Sequence, residues 1–350
     1  MFLQAIRLSP LHEAPGGGAF LSRDAIFPLA EQVGLRYNGR MQAPLRIGTR
    51  GSELALRQVQ LFVDALHEQV PGLATEVVVI QTAGDRRTDL PLCCVNRATG
   101  TADKGVFIAT IEEALARGEI DCAVHSCKDM PGALDERMAL AAVLPREDRG
   151  EALIIKPGAR MEAPTIGTAS VRRTELVKAY WGGRARTVSI RGNVQTRLRK
   201  LLQQEELDAL LLARAGLNRL GYAGRQELEF EGSRLCIADL GSDVFMPALC
   251  QGAIVVEVRR ADSATYELVR RVNHAPSELT IRAERAFLAA LGADCSVPVA
   301  GYASANGRGL MLRVIYVTAD GTPVRLTLKG DVDHPEELGR EAAAQLAEWR

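Results

Sequence analysis

The chain has 350 residues, enough for two or three domains that each bury a core, and its make-up of 47% hydrophobic and 25% charged residues is that of a globular protein. Lys plus Arg equals Asp plus Glu at 43 each, so net charge gives no reason to expect a polyanionic partner. Seven irregularly spaced cysteines and five scattered histidines form no metal-ligand pattern, and no apolar run approaches the ~20 residues that span a bilayer.

The first forty residues carry a Gly16-Gly17-Gly18 run and little periodicity, and lack the basic start and apolar core of a secretory signal. Residues 1–40 are read either as untranslated, with Met41 before the first clear strand as the start, or as a disordered extension or transit segment. The absence of a secretory signal and the unpaired cysteines place the chain in the cytoplasm.

Regular structure begins at Leu45–Gly48, an apolar strand that runs into Thr49-Arg50-Gly51-Ser52. Apolar residues at Leu54, Leu56, Val59, Phe62, Ala65 and Leu66 then recur at helical spacing. Glu76–Gln81 reads as a buried strand, Val106–Arg117 as an amphipathic helix, and Ile120–Val124 as a strand leading into His125-Ser126-Cys127-Lys128-Asp129. This alternation predicts a doubly wound α/β unit.

A second such unit begins near Arg149, with strands at Thr165–Thr168, Thr187–Ile190 and Asp208–Leu212 and helices at Val171–Tyr180 and Val194–Gln203. Ile254–Val258 is a further strand, and periodicity alone leaves open which sheet it joins. A helix from Ser277 to Leu291 precedes the loop Gly292-Ala293-Asp294-Cys295. Strands at Leu310–Tyr316 and Pro323–Leu328 and a helix over Pro335–Trp349 close the chain.

Charge is unevenly spread. From Ile166 to Arg225 there are twelve Lys and Arg against Glu175, Glu205, Glu206 and Asp208. Thr168-Ala169-Ser170-Val171-Arg172-Arg173 follows a strand and opens a helix, with Ser170 as N-cap and the free amides of the first turn facing whatever lies beyond. Two arginines in that turn oppose the helix dipole, so another interaction must hold them, either a bound carboxylate or acids elsewhere in the chain. Arg191-Gly192-Asn193 repeats the arrangement, with Asn193 as N-cap and Arg197 one turn on. A nucleic acid would satisfy the same charges, but the stretch holds few aromatics for stacking. Lys128-Asp129 after an apolar strand suits either a site that stabilises a developing cation or a surface ion pair. Cys295 has no cationic neighbour and adjoins Asp294, so its local sequence marks a structural thiol.

Taken in order, these segments resemble the porphobilinogen deaminase family. They are LRIGTRGSELAL (45–56), KGVF (104–107), AVHSCKDMP (123–131), LPREDR (144–149), GTASVRR (167–173), SIRGNVQTRL (189–198), DALLLARAGLNRLG (208–221), PALCQGA (247–253), ERAFL (284–288) and ADCSVPVAGYA (293–303). The resemblance implies two doubly wound lobes like those of periplasmic binding proteins and a small α/β C-terminal domain. Domain 1 would span 41–148 and 252–272, domain 2 would span 149–246 and domain 3 would span 275–350, so the chain crosses twice between lobes. It implies a dipyrromethane cofactor joined by a thioether to Cys295, and four deaminative additions of porphobilinogen followed by hydrolysis that releases hydroxymethylbilane. Asp129 would be catalytic. Ser126, Lys128, Asp129, Thr168, Ser170, Arg172 and Arg173 would hold the cofactor, and Arg50, Ser52, Lys104, Arg191, Arg197, Arg219 and Gln251 the substrate. The family acts as a monomer on a small molecule, without nucleic acid, membrane or metal. Four departures from its pattern stand out: Ala169 in place of Ser, Cys127 in place of Met, Ala109 where Lys is common, and a longer Cys93–Asp103 loop short of one lysine.

Overall fold

The computed structural model describes residues 43–81, 108–292, 297–318 and 320–349, which belong to one compact unit. Strand β1 (Leu45–Thr49) leads into helix α1 (Glu53–Gln69), which begins where Ser52 accepts a hydrogen bond from the Ala55 amide, the cap its short hydroxyl suits. Val59, Phe62, Val63 and Leu66 fall on one face at helical spacing and are buried against the sheet. Strand β2 (Thr75–Val79) follows. Helix α2 (Ala109–Ala116), strand β3 (Cys122–Ser126) and strand β4 (Met138–Val143) complete this half.

The first sheet also contains β11 (Ile254–Arg259), in the order β2-β1-β3-β11-β4. Strands β2 and β3 flank β1 in parallel, while β11 runs antiparallel between β3 and β4. The second sheet repeats the plan. Strands β5 (Glu151–Ile155), β6 (Thr165–Gly167), β7 (Arg186–Val188), β8 (Ala209–Ala213), β9 (Glu227–Phe230) and β10 (Ser233–Leu240) lie in the order β7-β6-β8-β5-β10-β9. Here β7 and β8 flank β6 in parallel, and β5 is the antiparallel intruder. Each sheet therefore receives the strand that the chain lays down on crossing over. The two crossings are the segment after β4 and the segment after β10. Helices α3 (Val171–Tyr180), α4 (Val194–Gln203) and the short α5 (Arg214–Leu217) accompany the second sheet, and α6 (Ser263–Arg270) packs on the first.

Helices α7 (Ala275–Leu291) and α8 (Pro335–Ala347) pack with an antiparallel meander of β12 (Val299–Asn306), β13 (Gly309–Val317) and β14 (Pro323–Asp331). The helices meet closely at Gly339, where a Cβ would stand 2.3 Å from the Ala283 carbonyl oxygen. This unit does not sit apart. One buried cluster joins Phe287, Leu312 and Leu338 to Cys127, Val143, Leu249 and Cys250, and another joins Phe245 to Tyr302 and Ile315.

Three sequence expectations change. Glu76–Gln81 reads as buried, yet β2 lies at the sheet edge among the described residues, with Val77 and Val79 43% and 51% exposed. An apolar run of β-branched residues forms a strand in either place, so composition does not locate it. The strand expected at Ile120–Val124 lies two residues later, which puts Ser126 at its end and Lys128 and Asp129 in a 3-10 turn over Cys127–Asp129. Strands β4, β5, β9, β10 and β12 and helices α5 and α6 lie outside the elements the sequence predicts. No described helix is long and apolar enough to cross a membrane.

Candidate functional site

Parallel strands that end together leave open backbone and loops at their carboxyl ends, where α/β sheets bind ligands. In the first sheet, β1 and β3 end at a pocket lined by Thr49, Arg50, Ser52, Gln58, Ser126 and Asp129. The Gln58 amide nitrogen donates to Ser126 Oγ at 2.8 Å, and the hydroxyl lies 3.2 Å from Gln58 Oε1, to which it donates, so the strand end is fixed against α1. Ser52 contributes its hydroxyl to the α1 cap.

In the second sheet, β6 ends at Thr168, whose hydroxyl accepts from the Ser170 amide at 3.2 Å, and Ser170 in turn caps α3 at the Arg173 amide. Asn193 caps α4 by accepting from the Thr196 amide at 2.8 Å. Both caps stand where the sequence places them.

The counter-ion for Arg172 and Arg173 is internal. Glu151, the first residue of β5, is fully buried and accepts from Arg172 Nη2 at 2.5 Å and Arg173 Nη2 at 2.6 Å. Arg172 also donates to the Met246 carbonyl and Arg173 to the Leu211 carbonyl. Burial by itself would raise the Glu151 carboxyl, but the two guanidiniums overcome it and hold the group down at about 2. Sequence reading missed Glu151. The signals were the two unexplained arginines and a carboxylate opening the apolar run EALII.

Lys128 donates to Gln251 Oε1 at 3.2 Å, and Gln251, itself fully buried, donates to the carbonyls of Arg149 and Gly150. Gln251 therefore ties the Lys128 turn to both crossings. Burial lowers the Lys128 ammonium to about 8; Asp129 and Glu151 act to raise it, and Arg173 and Arg172 to lower it further.

Arg197 joins the two sheets' contributions. Its Nε donates to the Gly192 carbonyl at 2.7 Å, and its guanidinium is lowered to about 10, first by burial and then by repulsion from Arg173, Arg191 and Arg50. Asp129 acts in the opposite sense. Arg50, Lys128 and Asp129 of one sheet and Arg172, Arg173, Arg191 and Arg197 of the other thus form one electrostatic site. Like charges brought together at this density are stable only if anions share the space, and Glu151 answers two of them.

Arg219 is used differently. Its Nη2 donates to the Gly252 carbonyl at 2.6 Å beside Glu147, at the crossings, and burial lowers it to about 10. Lys104, Cys295 and the Cys93–Asp103 loop lie outside the described residues. Among the described residues no cluster of His, Cys, Asp and Glu could hold a metal ion.

The crossings themselves are clamped. Glu284 on α7 is fully buried and accepts from Arg146 at 2.6 and 3.1 Å and from the backbone amides of Cys250 and Ala303. Arg149 stacks its guanidinium 4.0 Å from the Tyr302 ring centroid. Across the lobes, Asn218 donates to Glu147 and Gln195 to Glu53.

A dipyrromethane carries carboxylate side chains and pyrrole N–H donors. Among the described residues the site offers the Asp129 carboxylate for the donors and a cluster of cations for the acids, so the residues present fit such a group. Residues 45–267 match the family model for "Porphobilinogen deaminase, dipyromethane cofactor binding domain", and residues 278–348 that for "Porphobilinogen deaminase, C-terminal domain". The porphobilinogen deaminase of Roseiflexus sp. (strain RS-1) is 40% identical over 311 residues, covering 87% of this chain and 96% of that one. That of Syntrophomonas wolfei is 40% identical over 309 residues, covering 86% and 94%. Solved structures align loosely: the second substrate binding domain of a putative amino acid ABC transporter from Streptococcus pneumoniae is 12% identical, with a TM-score of 0.38 over 66% of this chain and 91% of that one, and adds nothing to the topology above. With 223 consecutive residues matched to its cofactor-binding domain and relatives alike over nearly their whole length, the chain belongs to the porphobilinogen deaminase family.

Proposed function

We propose that the cleft formed by the ends of β1, β3, β6 and α4 joins four porphobilinogen molecules head to tail on a primer anchored at Cys295, and then releases hydroxymethylbilane by hydrolysis. One observation carries this reading: Asp129 lines the pocket at the ends of β1 and β3 together with Arg50, Ser52 and Ser126, and its charge reaches Lys128 and Arg197. The family's dipyrromethane, when bound, would supply the nucleophilic pyrrole carbon for the first unit, each later unit adding to the free pyrrole carbon of the unit before it.

The chain's own residues do the rest. Lys128, Arg172 and Arg173, with the Ser126, Thr168 and Ser170 hydroxyls, hold the primer's carboxylates and ring nitrogens. Arg50, Arg191 and Arg197 take those of the incoming substrate. Ser52 and Lys104 assist them, and Gln251 and Arg219 act from the crossings. As ammonia leaves porphobilinogen, the Asp129 carboxylate stabilises the cation left on the substrate and accepts its pyrrole N–H. After coupling, the same carboxylate takes the proton from the newly bonded ring carbon. Partial burial strengthens each of these interactions over its value in water.

The division into domain 1 (41–148 and 252–272), domain 2 (149–246) and domain 3 (275–350) belongs to the same proposal. The crossings then act as hinges that let the lobes separate as the product lengthens. Action as a cytoplasmic monomer is part of it too, and sedimentation of the purified protein at micromolar concentration tests the monomer.

Intact-protein mass spectrometry tests the anchor. The mass should exceed that of the polypeptide by one dipyrromethane, and peptide mapping should place the addition on Cys295. An unmodified Cys295 in active protein rejects the assignment.

A further inference from the structure

Two cysteines that the reaction does not use meet beneath the site. Cys127 directly precedes Lys128, and Cys250 directly precedes Gln251, so the two segments already joined by the Lys128–Gln251 hydrogen bond also bring their preceding residues together. The backbones are held side by side: the Cys127 amide donates to the Ala253 carbonyl at 3.0 Å, and the Ala253 amide to the Cys250 carbonyl at 3.3 Å. Both side chains are buried, at 1% and 0% exposure, in the same hydrophobic cluster.

Two further features set this pair apart from inert core cysteines. Cys250 has φ +62, a left-handed backbone in which any side chain is strained, so a cysteine there is held at a conformational cost that glycine would not incur. The Cys127 thiol is lowered, first by the neighbouring Cys250 and then by Arg285, against burial and the Glu284 carboxylate, whereas Cys127, burial and Glu284 hold the Cys250 thiol up. Arg285 is anchored by Nη2 to the carbonyls of Pro131 and Gly132 at 3.0 Å each, while its Nη1 is buried without a hydrogen-bond partner among the described residues. A cation beside a thiol favours the thiolate, the form that attacks disulfides.

We propose that Cys127 and Cys250 are a reversible redox pair, closed by low-molecular-weight disulfides into a staple between the Lys128–Asp129 turn and the second crossing, and that the staple slows turnover. The exchange balances. The Cys127 thiolate attacks a disulfide RSSR, forming a mixed disulfide and releasing one thiolate. The Cys250 sulfur, losing its proton to that thiolate, then attacks the Cys127 sulfur and expels the second. Two protein thiols are oxidised as one RSSR is reduced to two RSH. The staple would fix Gln251, and with it the crossings, relative to the end of β3. Because both sulfurs are buried, a small oxidant gains access as the lobes open.

The holoenzyme is incubated with bis(2-hydroxyethyl) disulfide, alkylated, digested and mapped, with turnover measured in parallel. Exposed Cys236 is the internal control for oxidant access. The expected result is a Cys127–Cys250 linked peptide lighter by two hydrogens, a several-fold loss of turnover, and recovery of both with dithiothreitol. Cys250→Gly should keep basal turnover and lose its sensitivity, and Cys127→Met should do the same from the other side. The proposal is overturned if both thiols remain alkylatable once Cys236 has reacted, if the linked peptide forms without loss of turnover, or if the variants are inhibited as strongly as the parent. The peptide map does not depend on the role of Asp129, so failure of this proposal is separable from failure of the catalytic reading.

Discussion

Glu151 and Arg173 form a two-point contact at the heart of the second sheet, Nη2 to Oε2 at 2.6 Å and Nε to Oε1 at 3.3 Å, with the carboxylate wholly removed from solvent. The arginine expected to be available for ligand is thus positioned by a protein carboxylate, and the site's cationic character comes from the excess of cations over Glu151 and Asp129.

Breaking this contact has a defined consequence. Glu151→Gln leaves two buried guanidiniums short of their counter-ion and should destabilise the fold by about 3–5 kcal/mol, read from urea or thermal unfolding. Because the folded carboxyl is held at about 2 against an unfolded value near 4.5, its stabilisation is complete above pH 4.5 and lost as pH falls towards 2. That difference corresponds to about 3 kcal/mol, and the variant should lack this part of the acid transition.

Asp129→Asn keeps the size of the side chain and removes the charge. Turnover should fall by about 10²–10⁴-fold, with unfolding behaviour close to that of the parent. Near-normal steady-state rates in a fully loaded enzyme would assign the role elsewhere.

Lys128 sets a basic limb. With its ammonium at about 8 in the folded protein, the positive charge that meets a ligand carboxylate disappears as pH rises through 8. The unloaded protein's hold on the primer's carboxylates should weaken over pH 8–9.5, and loading of the primer there should take up protons. The sign for stability is opposite: between about 8 and 10.5 the unfolded chain holds more protons, so this group makes folding more favourable as pH rises. Lys128→Arg, charged throughout, should flatten the pH profile of primer loading above 8.

Gly252 tests the crossing. Its φ is +89, and a Cβ there would lie 2.3 Å from the Glu147 carbonyl oxygen in the other crossing. Gly252→Ala combines left-handed strain with a backbone clash and should cost roughly 1–3 kcal/mol or more in unfolding experiments. The Arg219 contact to the same residue should loosen, raising KM more than it lowers kcat.

How much of this was legible beforehand varies by element. Helices α1, α3, α4 and α7 were readable because apolar spacing and short polar caps such as Ser170 and Asn193 act within a few residues. The ordered motifs gave the family and, through it, the residues to inspect. Strands β5 and β10, by contrast, carry no local mark of the partner they will find.

The sequence by itself determined the fold class, the concentration of arginine between Ile166 and Arg225, and the caps that aim two helix starts at one cleft. Only the tertiary structure decided that Glu151, some twenty residues away, neutralises Arg172 and Arg173, that β11 enters the first sheet between β3 and β4, and that Glu284 gathers Arg146, Cys250 and Ala303. The reason is physical. Caps and periodicity are settled by neighbours within a turn, whereas a buried charge takes whichever partner the packing of distant segments brings within hydrogen-bond reach.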